Sequence, residues 1–113
     1  MTEISINHQL AESQIFELFK IQLKKDFESS GISAEFCDRL PKNLDDLVNT
    51  ISRSLRNNAA SVANLLYRVD ISENVLKKTL QNEEAAQDFE SVLALLIVKR
   101  ILQKVVIRRN YSA

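Results

Sequence analysis

Turn-forming residues are almost absent from this chain: Gly31 and Pro41 are its only glycine and its only proline. A many-stranded β protein reverses direction roughly every 8–12 residues and needs such residues at its turns. One Gly and one Pro in 113 residues cannot supply them, and they leave no glycine-rich loop to cradle a phosphate. The plan that remains is all-helical. Apolar residues make up 45% of the chain, enough to build a packed core rather than a disordered coil. The length suits one helical domain over 1–113, with 1–7 and 110–113 expected to be mobile ends.

The apolar spacing predicts three long helices joined by two short ones. The first runs over 7–30 with Asn7 as its N-cap, because Phe16, Phe19, Leu23 and Phe27 recur at helical steps. Gly31 follows at the position where a helix end needs a left-handed residue. A short helix over 34–40, capped by Ser33, ends at Pro41, whose ring disfavours helical angles in the residue before it. The second long helix is capped by Asn43, with Asp45 and Asp46 in its first turn. Its seam runs Leu44, Val48, Ile51, Leu55, Ala59, Val62, Leu66, Val69, close to heptad spacing. Asn57 and Asn58 are poor helix formers near its middle. The stripe nevertheless keeps its phase across them, so one continuous helix of roughly 40 Å is expected.

Ser72 caps a short helix over 73–80, and Asn82 caps the last long helix, 83–109. That helix starts with Glu83, Glu84, Asp88 and Glu90 and ends with Lys99, Arg100, Lys104, Arg108 and Arg109. Between them it is apolar almost all round, the pattern of a helix with neighbours on several sides. The expected architecture is an elongated all-α bundle of three long and two short connecting helices, the long ones alternating in direction.

Several function classes lose their residues. A lone cysteine, Cys37, cannot form an intrachain disulfide, a Cys-rich zinc site or an iron–sulfur cluster. Nothing in the spacing brings it to His8, the only histidine, to make a nucleophile–base pair. No Glu-x-x-His pattern is present, and the adjacent pairs Asp45–Asp46 and Glu83–Glu84 are explained by helix dipoles, so no metal and no cofactor is expected. The first residues have neither a basic nor an apolar stretch of a secretory leader. The most apolar run, 92–98, ends at Lys99, well short of the ~20 residues of a membrane span. A cytoplasmic, non-enzymatic protein is the expectation.

Three groups of residues are candidates for contacts. Tyr67, Arg68 and Asp70 form a polar corner after the second long helix, suited to clamping a ligand or partner, or simply to holding the corner. Lys99, Arg100, Lys104, Arg108 and Arg109 are a cationic end able to meet anions, although cations belong at a helix C-terminus on dipole grounds alone. With Lys+Arg and Asp+Glu equal at 15 each, and little aromatic interleaving, nucleic acid is a poor fit. Leu95, Val98, Leu102 and Val105 form a second apolar face on the last helix, expected to be left uncovered by a thin core. They are the candidate contacts for a two-fold homodimer or another helical protein. The leading expectation is thus a small interaction protein working through helix–helix contacts. The alternative is a nucleic-acid-associated regulator using the basic end.

Overall fold

Both long helices expected in the first part of the chain are broken, and the breaks shape the molecule. The computed structural model describes residues 3–82 and 88–111. Over these the helices are α1 (Glu3–Ala11), α2 (Ser13–Ser29), α3 (Leu44–Asn57), α4 (Val62–Val69), α5 (Glu73–Asn82) and α6 (Phe89–Tyr111), with 3₁₀ turns at Glu35–Arg39 and Ala59–Ser61. No strand occurs among the described residues. The all-α expectation stands, and the arrangement of three long and two short helices is replaced by six segments.

The first break falls at Glu12, whose backbone is extended (φ −77°, ψ 120°) between α1 and α2. Residues 3–7, expected to be a mobile end, belong to α1, and Ile6 is only 1% exposed. Asn7 does not cap its own helix. It lies inside α1, and its Oδ1 accepts the Leu44 backbone N–H of α3 at 3.0 Å. Asn43 caps α3 as expected, accepting the Asp46 N–H at 3.2 Å. Two of the unsatisfied N–H groups that every helix start presents are thereby filled, one of them by another helix.

The second break overturns the continuous helix. Asn58 leaves helical angles (φ −132°, ψ 41°), and its side-chain Nδ2 donates to the Ser54 carbonyl at 2.8 Å. A side-chain amide here competes with the backbone for the same acceptor, which is how Asn ends helices. The buried residues are Leu44, Leu47, Ile51, Ser52 and Leu55 in α3, then Leu65 and Val69 in α4.

Both α2 and α4 end in the same motif, with a left-handed residue after the last turn. At Gly31 (φ 84°) the Ile32 N–H returns to the Phe27 carbonyl, as the sequence predicts. At Asp70 (φ 67°) the Ile71 N–H returns to the Leu66 carbonyl. The segment after Gly31 is a 3₁₀ turn. It starts after Ala34 with no side-chain cap, so Ser33 does not have the capping role expected of it. Ser72 does cap α5, its Oγ accepting the Val75 N–H. Asn82 is the last residue of α5, and α6 is capped instead by Asp88, whose Oδ1 accepts the Ser91 N–H at 2.8 Å. The proposed start of the last helix at Glu83 and Glu84 lies outside the described residues, as do residues 1–2 and 112–113.

α6 is the axis of the fold. It packs on α2, α3, α4 and α5, and Val92, Leu93, Ala94, Ile97, Val98, Ile101, Leu102 and Val105 are all buried along it. The expectation of a helix with neighbours on several sides is met. The radius of gyration is 13.4 Å, close to the ~13 Å of a compact chain of this length. The extents, 39 × 29 × 24 Å, are those of a globule more than of an elongated bundle. The breaks are the reason: short segments can wrap a central helix on several sides, whereas three long rods lie only side by side.

Candidate functional site

The second apolar face of the last helix is not a surface. Val98 and Leu102 are 0% exposed and Val105 is 2% exposed within the single chain, and Leu95 is half-buried. The expectation that this face awaits a partner is corrected at Val98, Leu102 and Val105, which are buried within the chain, whereas Leu95 stays partly accessible.

The cationic end is spent on intrachain contacts. Arg100 donates to Asp70 Oδ2 and to Gln103 Oε1, both at 2.9 Å. Lys104 Nζ donates to the Arg68 carbonyl in the last turn of α4 at 3.3 Å. Arg108 donates to Gln22 Oε1 at 2.6 Å, and Arg109 pairs with Glu12. Lys99 is the exception: it lies in the middle of α6 and lines a groove.

The same contacts account for the polar corner. Asp70 terminates α4 in a left-handed conformation and receives Arg100, while the Arg68 carbonyl receives Lys104. Cations at the negative end of α4 are favourable on dipole grounds. Tyr67 points away, 82% exposed.

A polar seam lies between α2 and α6 that the spacing argument missed. Asp26 is only 6% exposed. Its Oδ1 accepts from Gln22 Nε2 at 3.0 Å, Gln22 in turn accepts from Arg108, and Asp26 Oδ2 has no partner among the described residues. Burial raises the Asp26 carboxyl above its ordinary range, against the opposing pull of Lys104 and the Gln22 hydrogen bond. Burial also lowers Lys104, and the Asp26 charge partly offsets this. Gln22, Asp26 and Ser30 recur every four residues, a polar stripe beside Phe19, Leu23 and Phe27, and all three are buried. That repeat is the signal by which they are legible.

Cys37 is buried beneath the 3₁₀ turn, near the edge-on pair of Phe27 and Phe36 (centroids 5.2 Å apart). Burial pushes its thiol up to about 11, leaving almost no thiolate near neutral pH. His8 is exposed on α1. Among the described residues no three His, Cys, Asp or Glu side chains gather to hold a metal ion, and no helix is long and apolar enough to cross a membrane.

A groove of about 560 Å³ lies where α1, α3 and α6 meet. Its apolar lining residues are Ile6 and Leu44, both buried, and Val48 and Leu95, both half-buried; Asn49 and Ser91 line it as well. Its rim carries Glu3, Asp45 and Asp88, all exposed, opposed by Lys99. The Asp88 carboxyl is held below its ordinary range by the Ser91 N–H and by Arg56, which pairs with it at 3.1 Å. Sequence spacing cannot find this groove, because three separate elements contribute to it.

No protein-family model, curated protein or solved structure matches this chain. Function is therefore argued from the site alone.

Proposed function

We propose that this protein is a small helical interaction module without catalytic chemistry of its own, and that it receives a partner helix in the groove between α1, α3 and α6. The observation that carries the reading is the layout of that groove, with apolar residues inside an exposed polar rim. Protein interfaces have this arrangement, whereas ligand and catalytic pockets aim a few polar groups inward. The walls are helices, so a docked helix meets ridges and grooves of its own kind. The basic end of α6 favours no nucleic-acid reading, since four of its five cations already have partners within the chain.

The test is selection of helical peptides from a random displayed library on the folded chain. Enriched peptides should shift the backbone amide resonances of Ile6, Val48 and Leu95, and should lose binding to a Leu95→Glu variant. Peptides that map elsewhere, or the absence of any enrichment, would set the reading aside.

A further inference from the structure

We infer that Asp26 is a proton-operated latch for the C-terminal turns of α6: as the neutral acid it leaves Lys104 on the end of α4, and as the carboxylate it draws the Lys104 ammonium to its own Oδ2. Asp26 is only 6% exposed on α2, the helix against which α6 packs. Its Oδ1 accepts from Gln22, while Oδ2 has no partner among the described residues. A buried carboxylate oxygen without a donor is costly, the more so when charged. Either the carboxyl keeps its proton, or a donor comes to it. Lys104 can be that donor. Its Nζ makes one hydrogen bond among the described residues, a long one of 3.3 Å to the Arg68 carbonyl in the last turn of α4. An ammonium carries three N–H donors on a flexible stem, so donors remain for a second acceptor.

The charges around Asp26 favour the exchange. Lys104 and Arg108 face it from α6, and the exposed Lys25 adds to them from α2; all are positive, and Lys104 pulls hardest. Asp70 and Arg100 bear on Lys104 in turn, and they are paired with each other. The other elements packed on α2 bring little: Arg68 on α4 is exposed, as are Glu35, Asp38 and Arg39 on the 3₁₀ turn, and α1 carries Glu3 at the groove and the exposed His8. Burial opposes ionisation and moves it above the ordinary carboxylate range, about 3.9. Gln22 extends the effect along α6, because it donates to Asp26 and accepts from Arg108 at 2.6 Å. A charged Asp26 strengthens both links of that chain. The acid form thus ties Lys104 to α4, and the carboxylate form gathers Lys104 and Arg108 onto α2.

The experiment is a pH titration of the full chain by NMR, following the Asp26 side-chain carboxyl carbon, the Lys104 ε-methylene and the Arg68 carbonyl carbon. All three should move with one shared midpoint above about 3.9, and on its alkaline side the Lys104 ε-protons should gain contacts to the Asp26 β-protons. In Lys104→Met the Asp26 midpoint should rise by roughly one pH unit and the Arg68 step should vanish. In Asp26→Asn the Lys104 and Arg68 signals should show no step over the same range. An Asp26 step that Lys104 and Arg68 do not follow would overturn the latch, since burial alone would then account for the titration. So would an Asp26 midpoint at or below about 3.9, or one that stays unchanged in Lys104→Met. The titration of the parent chain decides the matter even where a variant fails to fold.

Discussion

The two halves of α6 treat charge in opposite ways. Along its C-terminal half, Arg100, Lys104, Arg108 and Arg109 reach sideways to α4 and α2 and are held there. Along its N-terminal half, Asp88 looks after the helix start, while Lys99, Glu3 and Asp45 face an open groove. In the linear sequence both halves show a cluster of one sign at a helix end, and helix dipoles rationalise both. The difference is what lies across from them. A cluster opposed by carbonyls, amides and carboxylates from neighbouring helices is structural cement. One whose members line a groove and have few partners among the described residues is not.

Substitution along α6 tests this contrast most severely. Leu102→Glu places an unpaired charge in the covered half and should cost ~4 kcal/mol or more, enough to unfold the chain. Leu95→Glu, in the groove lining, should leave a folded protein with a loss of only ~1–2 kcal/mol. Chemical denaturation of the two variants makes the comparison, and similar losses would break it. Next in size is Arg108→Ala. It removes a partly buried charge-assisted hydrogen bond to Gln22 and should cost ~1–2 kcal/mol.

The buried seam gives a pH-dependent test of the same half. Burial raises the Asp26 carboxyl in the folded state. Such a group contributes stability that is fully present below its unfolded value, about 3.9, and is lost as pH rises through the raised folded value. Asp26→Asn cannot suffer that loss. The variant and the parent should therefore respond alike in acid, and the variant should become relatively more stable as pH climbs toward neutrality. A parent that gains on the variant over that range would show that Lys104 and Arg108 outweigh burial. The smallest effects are expected from exposed carboxylates. Asp70→Asn loses an exposed ion pair with Arg100 and should change stability by less than ~1 kcal/mol. Glu3→Gln/Asp45→Asn should do even less to stability, so that any effect it has falls on binding.

What was legible in the sequence was mostly local. Gly31 announces a helix end because only a left-handed residue fits there, and Asn43 and Ser72 announce helix starts because their side chains accept nearby N–H groups. The nearly uniform apolar surface of 89–107 marked the central helix. Both missed breaks have physical explanations. Across Asn58 the seam is carried by Ala59, which is exposed; Ala suits a helix surface as well as a core and reports phase poorly. At Glu12 the signal was present but unused: Ile6 and Leu10 belong to one stripe, Ile15 and Phe19 to another, with a step of five residues between Leu10 and Ile15 that a continuous helix does not make. The burial of Val98, Leu102 and Val105 was not legible either, because it depends on how neighbouring helices pack around α6. The groove could not be read at all. It depends on Ile6, Leu44 and Leu95 meeting across long stretches of chain, and periodicity within one helix holds no such information.

The central position of α6 has a consequence for how the chain is made. During synthesis α1 to α5 emerge before the helix on which most of them pack, so their apolar faces must wait for it. Until then they have only partial partners, such as α1 with α2 and α3, or α2 with α4. A ribosome-bound chain that ends before Phe89 is therefore an unfinished core, open to chaperones and prone to association. The links from Arg109 to Glu12 and from Arg108 to Gln22 span 97 and 86 residues, so they can form only once the last turns of α6 have been made.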